Sequence, residues 1–422
     1  MLLKKIFKKN SIFNNQDYIY LNLSYVIQCL FGFFIILNIL LNKDFYYLGI
    51  FTQIYTFFII IGHLFAFGIG DSLMRNIPIY TKNNQKKIFT SAIFLGFFLG
   101  TTFLIVIYFF MTIYENVIFK YKYIFNHYLL FSILIFSINK IHYAFFNSQR
   151  KIKIFSFMNA LRPILIFIFL VVIIKYYSKE YLAIIFFYTE LIIFFICLYL
   201  SSSFLTFKFN LFKYLNLNFM FGRKILLNNI LAESLIKVDI ICLSIFLNPF
   251  FVGIYSLGSF FFEGFYQFLI SIKNNINPQL SRLYHKKKYD DIFTLSKISQ
   301  KISFYLSLIF FILNIVIYFF IREFELNFEE SAIILIILSL GILFYSLIIP
   351  IENIFAQINK PNIQSLYMSS LFVLNVFFNI IFIRKYGVYG AAIGTSCSYL
   401  ISIFIFYIIL KKNFITNNLK NE

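Results

Sequence analysis

The chain has 422 residues, of which 61% are hydrophobic and only 13% charged, and it carries a formal net charge of +20 with a mean hydropathy of +0.83. Such a composition excludes a soluble core wrapped in a solvated surface. It also removes nucleic acid as the explanation of the charge, because the basic residues sit in short gaps between apolar runs rather than along an amphipathic surface.

Apolar runs of roughly 20 residues, each long enough to cross a hydrocarbon layer of about 30 Å as a helix, fill nearly the whole sequence. They predict spans at about 18–41, 46–69, 88–110, 126–147, 154–174, 181–203, 225–247, 251–276, 299–321, 331–356, 362–383 and 388–410. The expected fold is therefore all-α, a polytopic membrane protein of about 12 transmembrane helices. Lys4, Lys5, Lys8 and Lys9 precede a run too long for a signal peptide and without a small-residue cleavage site, so that run is read as the first span. The four cysteines, Cys29, Cys197, Cys242 and Cys397, all lie in apolar runs without metal-ligand spacing and read as small packing residues.

With both termini on the cytoplasmic side, 25 of the 37 Lys and Arg residues fall in inside segments and 8 in outside segments. That excess sets the orientation by the positive-inside rule. An internal repeat supports the same count. Tyr47–Phe58 (YLGIFTQIYTFF) followed by Ile77–Lys87 (IPIYTKNNQKK) matches Phe251–Phe262 (FVGIYSLGSFFF) followed by Asn277–Lys288 (NPQLSRLYHKKK), aligning Gly49 with Gly253 and Pro78 with Pro278. Six spans per half, entering from the same side, imply two six-helix lobes related by a pseudo-two-fold axis along the membrane normal. The basic stretch 208–224 reads as a cytoplasmic linker between lobes at 1–207 and 225–422.

Ionisable groups inside a bilayer cost roughly 2.5–3.5 kcal/mol each on insertion scales and turn toward protein or water, so they are the candidates for function. Arg162 beside Pro163, Glu190, Glu233, Lys237, Asp239, Glu263 and His63 lie well within their runs. Glu233 and Lys237, four residues apart, share a helix face and are expected to pair, whereas Asp239 lies about 200° around from Lys237. For Asp239 and Arg162 a cavity role stands beside a structural one. Lys140, Lys273 and Glu352 lie near cytoplasmic ends, where snorkelling is expected. Asp71 and Arg75 read as interface residues, and Asn314, Asn375 and Asn379 as buried amides bonding between helices. No zinc spacing, nucleotide-binding glycine loop or nucleophile elbow is present, so no catalytic residue, metal or cofactor is expected and the chain reads as a non-enzyme.

Three stretches carry a resemblance. They are KVDIICLSIFLNPFFVGIYSLGSFFFEGF with NPQLSRLY, YLGIFTQIYTFF with FGIGDSLMRNIP, and AQINKPN with NVFFNIIFIRKYGVYGAAIGTSCSYL. Over nearly its full length the chain resembles the polysaccharide (O-antigen) flippase family, the lipid-linked oligosaccharide branch of the multidrug/oligosaccharidyl-lipid/polysaccharide exporter superfamily. The resemblance implies two lobes in a V around a central cavity, a bacterial inner-membrane location, and transport of undecaprenyl-pyrophosphate-linked glycan to the outer leaflet. A glycan polymerase and assembly machinery are the implied partners.

The residues then expected at the substrate are Arg162, Lys237, Asp239, Asn375 and Asn379, with Asp239, Glu263 and Glu190 as candidates for ion coupling. A cation-coupled multidrug exporter is the alternative within the superfamily. A membrane glycan polymerase or ligase is a third reading, disfavoured by an outside segment of at most about 15 residues, and a scaffold without transport a fourth.

Overall fold

The computed structural model describes residues 15–113, 126–178, 181–206, 211–324, 328–357 and 360–418, and among them no strand occurs. Lys4, Lys5, Lys8, Lys9, Lys120, Lys122, Lys179, Lys208 and Lys420 lie outside the described residues. In chain order the helices are α1 (Asn15–Asn42), α2 (Phe45–Ala66), α3 (Ile69–Asn76), α4 (Lys82–Ile113), α5 (His127–Ser148), α6 (Ile152–Tyr176) and α7 (Leu182–Ser201). Then come α8 (Leu211–Phe246), α9 (Pro249–His285), α10 (Tyr289–Glu323), α11 (Glu329–Tyr345), the single turn α12 (Ile354–Gln357) and α13 (Pro361–Asn418).

Helix is the only economical state for such sequences in lipid, because it satisfies every backbone N–H and C=O within one segment. Eight helical segments among the described residues are long and apolar enough to cross a membrane, and the chain is a multi-pass membrane protein. Three helices that carry predicted spans fall outside those eight for visible reasons. α11 has 17 residues; α8 carries Glu233, Lys237 and Asp239 in its apolar half, and α9 interleaves Ser256, Ser259 and Glu263 with its aromatics.

The predicted spans fall on helices, some of which run well past them: α8 begins at Leu211, α9 ends at His285 and α10 begins at Tyr289. Three boundaries differ because the backbone itself breaks. The second span stops at Ala66, because Phe67 and Gly68 take φ of 49° and 65° and the chain restarts as α3. The tenth stops at Tyr345; Pro350, which has no N–H to donate, lies in a 3₁₀ turn at Ile349–Ile351 before α12. The last two spans form one helix kinked at Gly387, whose φ of 59° and ψ of −133° no residue with a side chain adopts readily. Asn248 caps α9 by accepting the Phe251 N–H at 3.4 Å, with Pro249 as the first helical residue.

The chain divides into two compact units, Met1–Asp44 with Phe57–Ile230, and Phe45–Thr56 with Leu231–Glu422. From Leu211 onward the stretch read as a linker is helix, the first part of α8. Its Asn218 is fully buried in the first unit, where its amide donates to Ile88 O and Ser91 Oγ at 3.1 Å each and its Oδ1 accepts Ser72 Oγ at 2.8 Å. The first unit's core includes Ile69, Leu73, Ile88 and Ile141, with the Phe89 and Phe145 rings stacked 3.8 Å apart.

In the second unit Leu243, Val252, Leu269, Ile334, Leu338 and Ile342 form the centre. There Gly49 and Gly253, the matched glycines of the repeat, meet. A Cβ on Gly49 would lie 1.7 Å from Pro249 O, and one on Gly253 would lie 1.8 Å from Phe45 O. Lipid offers little hydrophobic drive between helices, so close backbone approach of this kind supplies the packing attraction that holds α2 to α9.

Candidate functional site

A deep charge in a helix bundle needs a counter-charge on another helix, since an isolated one costs several kcal/mol. In the first unit Arg162, in the middle of α6, meets Glu190 on α7. Arg162 Nε donates to Glu190 Oε1 at 2.6 Å and Nη2 to Oε2 at 3.1 Å. The guanidinium also lies 4.7 Å from the Phe136 ring and 5.1 Å from the Tyr143 ring, both on α5. Asn139, one turn from each of these rings, donates its amide to Glu190 Oε2 at 2.8 Å and to Glu190 O at 2.9 Å. Glu190 is 1% exposed at its side chain, Arg162 13%.

In the second unit Lys237 of α8 donates to both oxygens of Glu263 on α9, at 2.6 and 2.7 Å. The sequence assigned that ammonium to Glu233, one turn back on its own helix; the structure gives it to the neighbouring helix, where the carboxylate can face it from across the packing seam. Asp239, two residues on, points away as its position on the helix requires. It accepts the Tyr255 hydroxyl at Oδ2 and the Ile240 N–H, 2.9 Å, at Oδ1.

A third pair was missed by sequence reasoning. Lys273 Nζ donates to Glu352 Oε2 at 2.6 Å, with side chains 11% and 1% exposed. Glu352 Oε1 accepts the Tyr345 hydroxyl at 2.5 Å, and the buried Tyr367 hydroxyl lies 3.4 Å from that of Tyr345. Snorkelling was expected of both ions; the helix break at Pro350 instead turns Glu352 inward. The legible signal was two opposite charges at similar depth on different spans.

The amides behave as bridges. Asn379 donates to Asn375 O and Oδ1 at 2.9 and 2.7 Å, Thr395 donates to Asn375 Oδ1 at 3.3 Å, and Asn375 reaches Leu235 O on α8 at 3.5 Å. The Thr395 bond joins the two halves of α13 across its kink, and the Leu235 bond ties α13 to α8. Among the described residues no group of three or more His, Cys, Asp and Glu side chains is placed to hold a metal ion, and the cysteines are free thiols. Outside the spans, burial raises the Asp71 carboxyl above its usual range, against the lowering effects of the Asn229 amide at 2.6 Å, its own backbone N–H and the charge of Lys140.

The candidate residues thus fall into two groups. Arg162 and Glu190 belong to the first unit, and Lys237, Asp239, Glu263, Asn375 and Asn379 to the second.

The whole chain is similar in structure to lipid II flippase MurJ in an inward closed conformation, with a TM-score of 0.74 and 19% identity over 94% of this chain and 88% of that one. It is similar also to a mutant of the Vibrio cholerae MATE transporter VcmN, with a TM-score of 0.67 and 15% identity over 96% and 97% of the two chains. A MOP superfamily transporter from Pyrococcus furiosus gives 0.64 and 12% over 93% and 94%. The chain has the fold of MOP superfamily transporters. No family model matches the sequence, and no curated protein does.

That fold accounts for the all-helical architecture in which the buried ion pairs lie.

Proposed function

We propose that the protein is a flippase that moves an undecaprenyl-pyrophosphate-linked oligosaccharide from the cytoplasmic to the outer leaflet of a bacterial inner membrane by alternating access. The observation that carries this reading is the likeness to the lipid II flippase along nearly the whole chain, at a higher TM-score than the MATE transporter reaches. The diphosphate would meet Arg162, whose planar fork of N–H donors matches phosphate oxygens, and Lys237; sugars would meet Asn375 and Asn379. Asp239, Glu263 and Glu190 are the carboxylates available for ion coupling. Both chain termini lie in the cytoplasm on this reading, and the glycan polymerase and assembly machinery act next on the product.

The second reading is a cation-coupled multidrug exporter. It is favoured by the second unit, where the deep carboxylates Glu233, Asp239, Glu263 and Glu352 outnumber the deep cations Lys237 and Lys273, and Asp239 is bound by a tyrosine hydroxyl.

Deletion followed by a leaflet assay for lipid-linked glycan separates the two. Glycan intermediates held on the cytoplasmic side support the flippase; a normal outer-leaflet supply together with increased drug accumulation supports the exporter and rejects the flippase.

A further inference from the structure

Resting on the flippase reading, a difficulty appears at Arg162: the cation meant for a phosphate is already occupied. Two of its five N–H donors are held by Glu190, and its charge is cancelled there. A phosphate that takes the Nε and Nη2 donors of the 13% exposed side chain displaces a carboxylate that is itself 1% exposed. Once it loses its cation, that carboxylate has no water to turn to, and a buried unpaired charge neutralises rather than persists.

The site is built for either protonation state. Asn139 holds the ionised carboxylate with its amide Nδ2 at 2.8 Å, while its Oδ1 is buried and has no hydrogen-bond partner. A buried acceptor left without a donor disfavours the state shown. A protonated Glu190 supplies an O–H donor for this oxygen when the amide turns its other end to the carboxyl, in exchange for the bonds its Nδ2 makes to Glu190 Oε2 and O.

We propose that binding of an anionic phosphate at Arg162 is coupled to uptake of one proton by Glu190. In the exchange the phosphate oxygens replace the carboxylate on the guanidinium, one O–H bond forms on Glu190 with a proton taken from solvent, and Asn139 Oδ1 accepts that proton's hydrogen bond. The proton gained at Glu190 offsets one negative charge of the incoming anion, the one that pairs with the guanidinium in place of the carboxylate.

The other titratable groups around the carboxylate do not duplicate its role. Tyr143 on α5 and Cys197 on α7 itself lie within range of both ions of the pair. Tyr143 donates its hydroxyl to Met158 O at 3.2 Å. Lys140 and His63 meet the Phe136 ring at 5.5 and 6.0 Å, and His142 on α5 lies edge-on to Phe89 and Phe194.

The test is calorimetric titration of undecaprenyl diphosphate into the full chain in nanodiscs, in paired buffers of different ionisation enthalpy, from acid to alkaline pH. The wild type is expected to take up about one proton more per ligand bound than Glu190→Gln, a difference in which the ligand's own ionisation cancels. Wild-type affinity should fall about tenfold more per pH unit than that of Glu190→Gln on the alkaline side. Asn139→Leu, which removes the waiting acceptor, should shift that fall to lower pH and serves if Glu190→Gln does not fold.

Equal proton counts and equal pH slopes in binding-competent wild type and Glu190→Gln would overturn the exchange and leave the flippase reading intact. For Asn139→Leu the overturning result is a wild-type pH profile. Absence of diphosphate binding in the wild type at every pH would overturn both.

Discussion

Replacing Lys273 by methionine removes one partner of a pair whose other member has almost no access to solvent. Lys273 Nζ and Glu352 Oε2 are 2.6 Å apart, and the carboxylate keeps only the Tyr345 hydroxyl once the ammonium is gone. Breaking a buried pair in this way costs about 3–5 kcal/mol, whereas replacing both ions by apolar groups of similar volume is often neutral. Lys273→Met is thus expected to lower the folding equilibrium by roughly 100- to 5,000-fold, and Lys273→Met with Glu352→Leu to recover most of that loss. The assay is denaturant unfolding in defined mixed micelles of the wild type, both single variants and the double variant, read as a double-mutant cycle. A cost below about 1 kcal/mol for Lys273→Met, or additive single costs, would refute the claim that the pair is a desolvated unit and return both residues to the interface.

Other substitutions test the remaining packing and charge. Gly49→Ala and Gly253→Ala each place a methyl within 2 Å of a backbone carbonyl and should destabilise by about 3 kcal/mol or more, while Gly264→Ala, with nothing within 4 Å, should be neutral or stabilising; thermal unfolding distinguishes them. Because the folded state raises the Asp71 pKa, its contribution to stability is fully present below the unfolded value and lost as pH rises through the folded one. Asp71→Asn should therefore flatten the pH dependence of the melting temperature across that window and leave wild type the less stable partner at its alkaline end. Tyr255→Phe takes the hydroxyl from the buried Asp239 carboxylate and should cost about 1–3 kcal/mol in the same unfolding assay, with Asp239→Asn suppressing part of the loss.

The helices were legible in the sequence because their causes are local. An apolar run of sufficient length satisfies its own backbone, so the predicted spans fall on helices, although α8, α9 and α10 continue past their apolar runs into polar sequence and other helices stop where the chain takes special dihedrals or meets proline. Phe67, unlike Gly68, gives no warning that it will adopt a positive φ; the requirement comes from the close approach of Gly222 on α8 to that turn. Likewise, the polarity of 208–224 suggested water, whereas Asn218 spends its polarity inside the first unit on Ser72, Ser91 and a helix carbonyl.

By itself the sequence determined that this is a polytopic all-α membrane protein with deep charges in need of partners, and it named most of those charges. Only the tertiary structure decided the partners: Glu190 for Arg162, Glu263 for Lys237 and Glu352 for Lys273. The physical reason is that burial of a charge follows from its place along one helix, while the identity of its counter-ion depends on the rotation and axial offset of two. Those two quantities are set by side-chain packing between segments distant in the chain, and no periodicity within either segment contains them.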